Sequence, residues 1–350
     1  MNGFPARPTL SDVAARAGVS TVTVSRVIDD SPKVASRTRA RVRAAMDELG
    51  YFGNAAATQL VSGKAQAVGV IASDTAEYGY ASVIAGIEQA ARALDMAVLI
   101  AVIEGDGEDS ARKTVATVAA HALAGVIVID YDEPAHAVAR ALPSYLPSVS
   151  TTAPYHGPDL PLPHVMINEY DGAVDAGRHL IALGHRSIFI LGPPSSEPTR
   201  RRVRGIEDAL DEAHLPHYPV IRCADWHPEA GHAAAAEVLT RYGNEVTAIA
   251  CANDEIALGA IRAIGEAGLT VPHDVSVVGC DDNPIAAYAL PALTTIRQDF
   301  GRLGRQAFNL LVELAAGREA GPAEVIDATL VIRESTAAPN PRRGRWPARA

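Results

Sequence analysis

Three observations predict an all-α head joined to an α/β body of two doubly wound parallel-sheet lobes for this 350-residue chain. Between Thr9 and Tyr51, apolar residues recur at steps of three and four in three short segments, as in amphipathic helices. From Ala67 onward, strand-length apolar runs alternate with helical stretches, the pattern of parallel sheets covered on both faces. Charge divides along the same line. The overall net charge is −10, yet residues 1–64 hold nine Lys/Arg against five Asp/Glu, a net of +4, and the remainder 22 against 36, a net of −14. A basic head on an acidic body can dock on phosphate while the body stays clear.

In the head, Leu10, Val13, Ala14 and Ala17 mark a first helix, with Ser11 available as its cap, and Gly18 breaks the pattern. Val19 and Ser20 open a second helix whose buried side is Val24, Val27 and Ile28; Thr21, Val22, Ser25 and Arg26 face the other way. Two helices joined by a Gly-containing turn fit a helix-turn-helix, and taken alone they equally fit a plain helical hairpin. A third stripe, Val42, Ala45, Met46 and Leu49, is decorated by Arg37, Arg39, Arg41 and Arg43, so a three-helix unit is complete at Tyr51. The helix-prone stretch Asn54 to Val61 follows. It is shorter than the ~12–15 residues an isolated helix needs, so it should form only when DNA or a second copy supports it.

In the body, AVGVIAS, MAVLIAVI, LAGVIVID and HVMIN make a first set of strands, and RSIFILG, PVIRCAD, TAIACAN and VSVVGCDD a second, one set per lobe. The N-terminus MNGFPARP lacks the apolar stretch of a signal peptide, and no run approaches the ~18 apolar residues of a membrane span, so a cytoplasmic protein without a membrane partner is expected. Cys223, Cys251 and Cys280 read as reduced core residues. His214 and His217 lie in a proline-rich turn without Cys or paired carboxylates nearby, which favours a surface loop over a metal site. No nucleophile elbow or phosphate loop occurs; neither an enzyme nor a cofactor is expected.

PTLSDVAARAGVSTVTVSRVIDD, followed by TRARVRAAMDELGY and N-x-x-A-x-x-L, resembles the headpiece of the lactose/galactose repressor family of bacterial transcription regulators, and the resemblance extends to about Ser335. It implies base reading by Thr21, Val22 and Arg26, backbone contacts by Ser20, Thr23, Ser25 and Asn54, and a minor-groove wedge at Leu60, which could also pack in a dimer seam. Gly53 stands where the family commonly has proline, and Ala35 where it often has serine, so that either Ser36 takes over the capping of the third helix or one phosphate contact is lost. The body is then similar to periplasmic binding proteins, with crossings between lobes near Asn168, Gln298 and Asp327. The expected domains are a headpiece 1–53, hinge helix and linker 54–64, and a body 65–336, with lobe 1 at about 65–167 and 299–327 and lobe 2 at about 168–298 and 328–336. A disordered basic tail, 337–350, would follow; without leucine heptads it favours a homodimer over a tetramer.

Ligands of doubly wound sheets bind beyond the carboxyl ends of the strands. The polar residues there are Ser73, Asp130, Arg200, Asn253, Asp281 and Gln298, with Trp226 and Phe300 as aromatic neighbours. Groups that orient hydroxyls beside faces on which a pyranose stacks describe a sugar cleft. The resemblance places Arg200, Asn253, Asp281, Gln298, Trp226 and Phe300 at the inducer site, although Asn253 could simply cap a helix and Asp281 hold a turn. The expected function is a repressor released from double-stranded operator DNA by a small sugar or oligosaccharide; the alternative is a purine-type regulator whose nucleobase-like corepressor strengthens DNA binding.

Overall fold

The computed structural model describes residues 8–28, 30–51, 65–152, 162–193 and 197–343. The chain divides into two compact units, Met1–Gln66 and Ala67–Ala350. Gly53, Asn54 and Leu60, with the whole expected hinge segment 54–64, lie outside the described residues.

The first unit holds α1 (Leu10–Ala17), α2 (Thr21–Ile28) and α3 (Ser36–Leu49). Val13, Ala14, Ala17, Val24, Val27, Val42 and Ala45 form its core. Thr9, rather than Ser11, caps α1, exchanging hydrogen bonds with Asp12 in a capping box. Gly18 closes that helix at φ +60°, a left-handed conformation that glycine adopts without steric cost. Ser36 does not cap α3 either: it is the first helical residue, and Ala35 before it offers no side-chain acceptor. Two arginines of α3 pair with the exposed Asp30, Arg39 at 2.8 Å and Arg43 at 2.9 Å.

The second unit is two three-layer α/β/α lobes. In lobe 1, β1 (Ala67–Ala72), β2 (Ala97–Val102), β3 (Val126–Val128) and β4 (Ser148–Ser150) form a parallel sheet in the order β2-β1-β3-β4. A bridge from Ser150 to His164 leads on to β5 (Val165–Asn168), which pairs in parallel with β11 (Glu324–Asp327). Lobe 2 has six strands in the order β12-β10-β9-β8-β6-β7. They are β6 (Ile188–Gly192), β7 (Ile221–Arg222), β8 (Ala248–Cys251), β9 (Ser276–Asp281), β10 (Thr294–Arg297) and the antiparallel edge β12 (Thr329–Val331).

The helices are α4 (Tyr78–Arg92), α5 (Gly107–Ala119), α6 (Glu133–Ala141), α7 (Glu169–Ala182), α8 (Glu197–Glu212), α9 (Pro228–Tyr242), α10 (Asp254–Glu266) and α11 (Phe300–Ala315). The chain crosses between lobes from β5 to α7, from β10 to α11, and from β11 to β12, at Asn168, at Gln298 and at Ala328 beside Asp327. One apolar cluster, from Val70 and Phe308 in lobe 1 to Ile190 and Ile296 in lobe 2, runs through both lobes. All three cysteines are buried and free. Helices α4 and α11 meet at two glycines: a Cβ on Gly86 would stand 2.2 Å from the Gly301 carbonyl oxygen, and one on Gly304 2.2 Å from that of Val83. Among the described residues, no helix is long and apolar enough to cross a membrane.

The expectation of disorder from residue 337 is corrected for its described part. The Ala337 carbonyl accepts from His185 Nε2 at 2.9 Å and from the Ser276 hydroxyl at 3.1 Å. Asn340 donates to Asp274, and Arg343, 9% exposed, donates to the carbonyls of Val246 and Gly243. Arginine supplies several donors at the end of an apolar stem, so a composition that looks unstructured can cap carbonyls left at a sheet margin. Arg343→Ala should therefore lower unfolding stability by about 1–3 kcal/mol, the cost of unsatisfied buried carbonyls. Denaturant titration with an unchanged m value would read this; an unchanged midpoint would show the contact to be idle.

Candidate functional site

Helix N-caps at strand ends build the cleft between the two lobes. Asp132 caps α6, Asn168 caps α7, Asn253 caps α10 and Asp299 caps α11, each side chain accepting from a first-turn backbone N–H. These caps bring chain reversals and polar groups to one edge of the sheets. The space between the facing walls, including its open mouth, measures about 620 Å3. Lobe 1 and α11 contribute Glu77, Tyr78, Tyr80, Tyr131, Asp132 and Phe300. Lobe 2 contributes Glu169, Arg202, Trp226, Asn253, Asp254, Glu255 and Asp281, with Pro198 and Asn283.

Arg202 is the centre of the floor. It is 7% exposed, and Nη2 donates to Glu169 at 2.9 Å and stands 3.6 Å from Asp281. Nη1 donates to the Ala252 carbonyl, and the guanidinium lies 5.9 Å from the centre of the Trp226 ring. Burial opposes its charge, and the acidic neighbours more than offset that penalty, raising its pKa. Burial pushes the Asp281 carboxyl up to about 7, Arg202 pulling it down and Glu169 pushing it up. Asp281 ends β9 at φ +109°, a conformation costly for a residue with a Cβ. Asp254 behind it is raised too, by burial and then by Asp281. Its carboxylate accepts from the Thr295 hydroxyl and the Asn283 N–H. Only glycine fits at position 279, where a Cβ would stand 2.2 Å from that carboxylate.

Of the eight residues expected in the cleft, four line it: Trp226, Asn253, Asp281 and Phe300. Asn253 also caps, accepting from Ile256 N–H at 2.8 Å while its amide donates to the Trp226 carbonyl at 3.1 Å. Two more stand one step behind. Gln298 donates to Asp281 at 2.8 Å, and Ser73 donates to Asp132 at 2.8 Å, opposite the Tyr80 hydroxyl at 3.0 Å.

Two placements are corrected. Arg200 pairs with Glu197 at 3.0 Å in a separate groove, because residues two apart on a helix point to nearly opposite sides; Arg202 takes the cleft position. Asp130 is buried inside lobe 1 with His136 at 3.4 Å and the Ser150 hydroxyl at 3.3 Å, and Asp132 reaches the cleft. Both residues had sequence signals. Arg202 continues the apolar helical stripe of Pro198, Ile206, Ala209 and Leu210. Asp132 precedes Glu133-Pro134, a cap followed by an early proline. Glu77, Glu169 and Tyr131 carried no such signal, since tertiary packing alone brings them in.

In the head, Thr21, Val22 and Arg26 are exposed on α2, Val22 at 56%. Ser20 accepts from the Thr23 N–H at 3.3 Å and bonds its hydroxyl at 2.9 Å, so this pair also starts the helix. Ser25 is partly buried on the same helix.

Residues 9–54 match the family described as bacterial regulatory proteins of the lacI family, and residues 178–336 a periplasmic binding protein-like domain. The lactose operon repressor of Escherichia coli strain K12 is 36% identical over 340 residues, 95% of this chain and 91% of that protein. The chain belongs to the lacI family of bacterial regulatory proteins. The HTH-type transcriptional repressor PurR of Proteus mirabilis strain HI4320 is 34% identical over 334 residues, 94% of this chain and 97% of that protein. The lac repressor dimer bound to operator and the anti-inducer ONPF superposes with a TM-score of 0.85 at 34% identity, covering 95% of this chain and 100% of that one. The lacI-family architecture thus spans head and body alike.

The cleft carboxyls also predict a pH effect. Burial, with Asp74 adding to it, pushes Glu77 from 4.5 up to about 7, so the folded chain holds a proton that the unfolded chain has released in this window. Stability from this group therefore falls as pH rises from 4.5 to about 7. Glu77→Gln should melt close to the native protein at the acid end of that window and higher at its top. A melting difference independent of pH would remove Glu77 as its source.

Proposed function

We propose that this protein is a homodimeric, cytoplasmic transcriptional repressor whose head binds double-stranded operator DNA and whose cleft takes a small sugar or short oligosaccharide as inducer. One observation carries the ligand assignment: Arg202, Asn253 and Asp281, each held by a neighbour, face the rings of Trp226, Phe300 and Tyr78. Fixed donors and acceptors orient hydroxyl groups, and ring faces stack on the apolar side of a pyranose. The operator-bound lac repressor dimer supports the DNA and assembly readings.

Exposed apolar side chains support a second copy as partner: Ile285, Tyr288 and Leu290 on lobe 2, and Leu94, Ile100 and Val102 by the edge strand of lobe 1. On α2, Arg26 has the fork that matches a guanine edge, and Val22 can meet a thymine methyl. A ligand touching both lobes favours the closed arrangement about the three crossings, and the control acts on DNA through segment 54–64. Such a switch needs unequal affinity for the two states, with a coupling of ~1–3 kcal/mol.

Reciprocity tests the switch: operator DNA must weaken inducer binding by the factor by which inducer weakens operator binding. Asp281→Ala should abolish that coupling while sparing operator affinity; loss of both would assign Asp281 a structural role. Arg26→Ala should cost about 1–3 kcal/mol of discrimination at one operator position, and an unchanged sequence preference would remove it from the reading set. A thermal-shift screen of sugars against nucleobases decides the ligand class, and stabilisation by nucleobases alone would overturn the sugar reading.

A further inference from the structure

We propose that the effector bears an ammonium group, so that the cleft selects an amino sugar over its neutral counterpart. This rests on the sugar reading above. Among the described residues, six carboxyl groups line the cleft, those of Glu77, Asp132, Glu169, Asp254, Glu255 and Asp281, against one guanidinium, Arg202. Arg202 is committed to Glu169 and Asp281. Asp254 is served by Thr295 and Asn283, and Asp132 by Ser73, Tyr80 and the Ala135 N–H.

Glu77 is different. It is half-buried at the N-terminal edge of α4, and no hydrogen bond among the described residues satisfies its carboxylate. The charged groups around it are Asp74, Asp132 and Glu255, which repel its charge, and His227, which relieves it. His227 is itself 3.9 Å from Glu255. A half-buried carboxylate among like charges either keeps a proton or takes up a cation. A neutral hydroxyl could donate to it, but would leave the excess negative charge uncompensated.

A second, independent observation points to a ligand in the same space. Arg202 is 7% exposed, and among the described residues its Nε has no hydrogen-bond partner. Arg202 lines the cleft, so a ligand oxygen beside it would serve that donor, while among the described residues no cation pairs with Glu77 at the lobe 1 margin. A sugar with an ammonium substituent supplies both, its hydroxyl and ring oxygens accepting inside and its ammonium donating to Glu77. The rings of Tyr78, Tyr80 and Trp226, which line the same cleft, add faces that attract a cation.

The test is calorimetric titration of the full-length protein near pH 6.5 with matched pairs: glucose and glucosamine, galactose and galactosamine, cellobiose and the β-1,4-linked glucosamine dimer. In at least one pair the amino member should bind about tenfold tighter, the scale of one compensated charge, and the preference should shrink with added salt. Binding should also release protons, seen as a heat that varies with buffer ionisation enthalpy, because Glu77 must ionise to receive the ammonium. Glu77→Gln should collapse the ratio within that pair, with far-UV dichroism establishing that the variant is folded. Neutral sugars bound as tightly as their amino partners would overturn the ammonium assignment and leave the sugar reading standing. Binding by no member of any pair, with a nucleobase bound instead, would overturn both.

Discussion

The ion network of Arg202, Glu169 and Asp281 is the constraint on which the cleft depends. A buried guanidinium is tolerable only where carboxylates meet it, and those partners must come from different parts of the chain. Here Glu169 is supplied by the first turn after one crossing, Asp281 by the end of β9, and Arg202 by α8. Removing Arg202 would strand two carboxyl groups in a low-dielectric setting, a much larger loss than the net gain from forming the network. The same charges position Asp281 at an unfavourable backbone angle and bring the Trp226 ring over the guanidinium. The geometry of the ligand-facing surface is thus over-determined before any ligand arrives.

Control follows from where the lobes join. Three short segments cross between them, and one apolar cluster continues through both. Cleft walls come from both sides, Phe300 starting α11 directly after the second crossing and Glu169 starting α7 directly after the first. In this proposal the acidic lobe 1 wall adds a charge requirement to a site otherwise suited to any hydroxylated ring.

Much of the fold was legible in the chain itself, because apolar periodicity reports local structure and each strand run was long enough to be unambiguous. The short or polar strands were not: β4 is Ser148-Val149-Ser150, and β11 and β12 gain their strand character only from partners far away in sequence. At the site, Trp226, Asn253, Asp281 and Phe300 could be read from strand ends, while Arg200 and Asp130 were each two residues from the cleft residue. Strand ends are defined to about two residues by composition, and on a helix that shift reverses the direction of a side chain. For the C-terminal segment, arginine and proline content spoke for disorder, whereas the carbonyls that Arg343 satisfies lie about a hundred residues away in the chain.

By itself the sequence determined the three-helix head, the alternating body, the division of charge between them and the family to which the chain belongs. The first three follow from periodicity, turn residues and composition, all local properties, and the family was legible from the resemblance of the ordered headpiece motif. Tertiary structure decided which arginine and which aspartate face the cleft, and that Gln298 and Ser73 hold other side chains in place. It also decided that Glu77, Asp132 and Glu255, distant from one another in sequence, gather along one cleft. The physical reason is that burial and electrostatic neighbourhood are sums over space, and residues close in space carry no record of that closeness in their order along the chain.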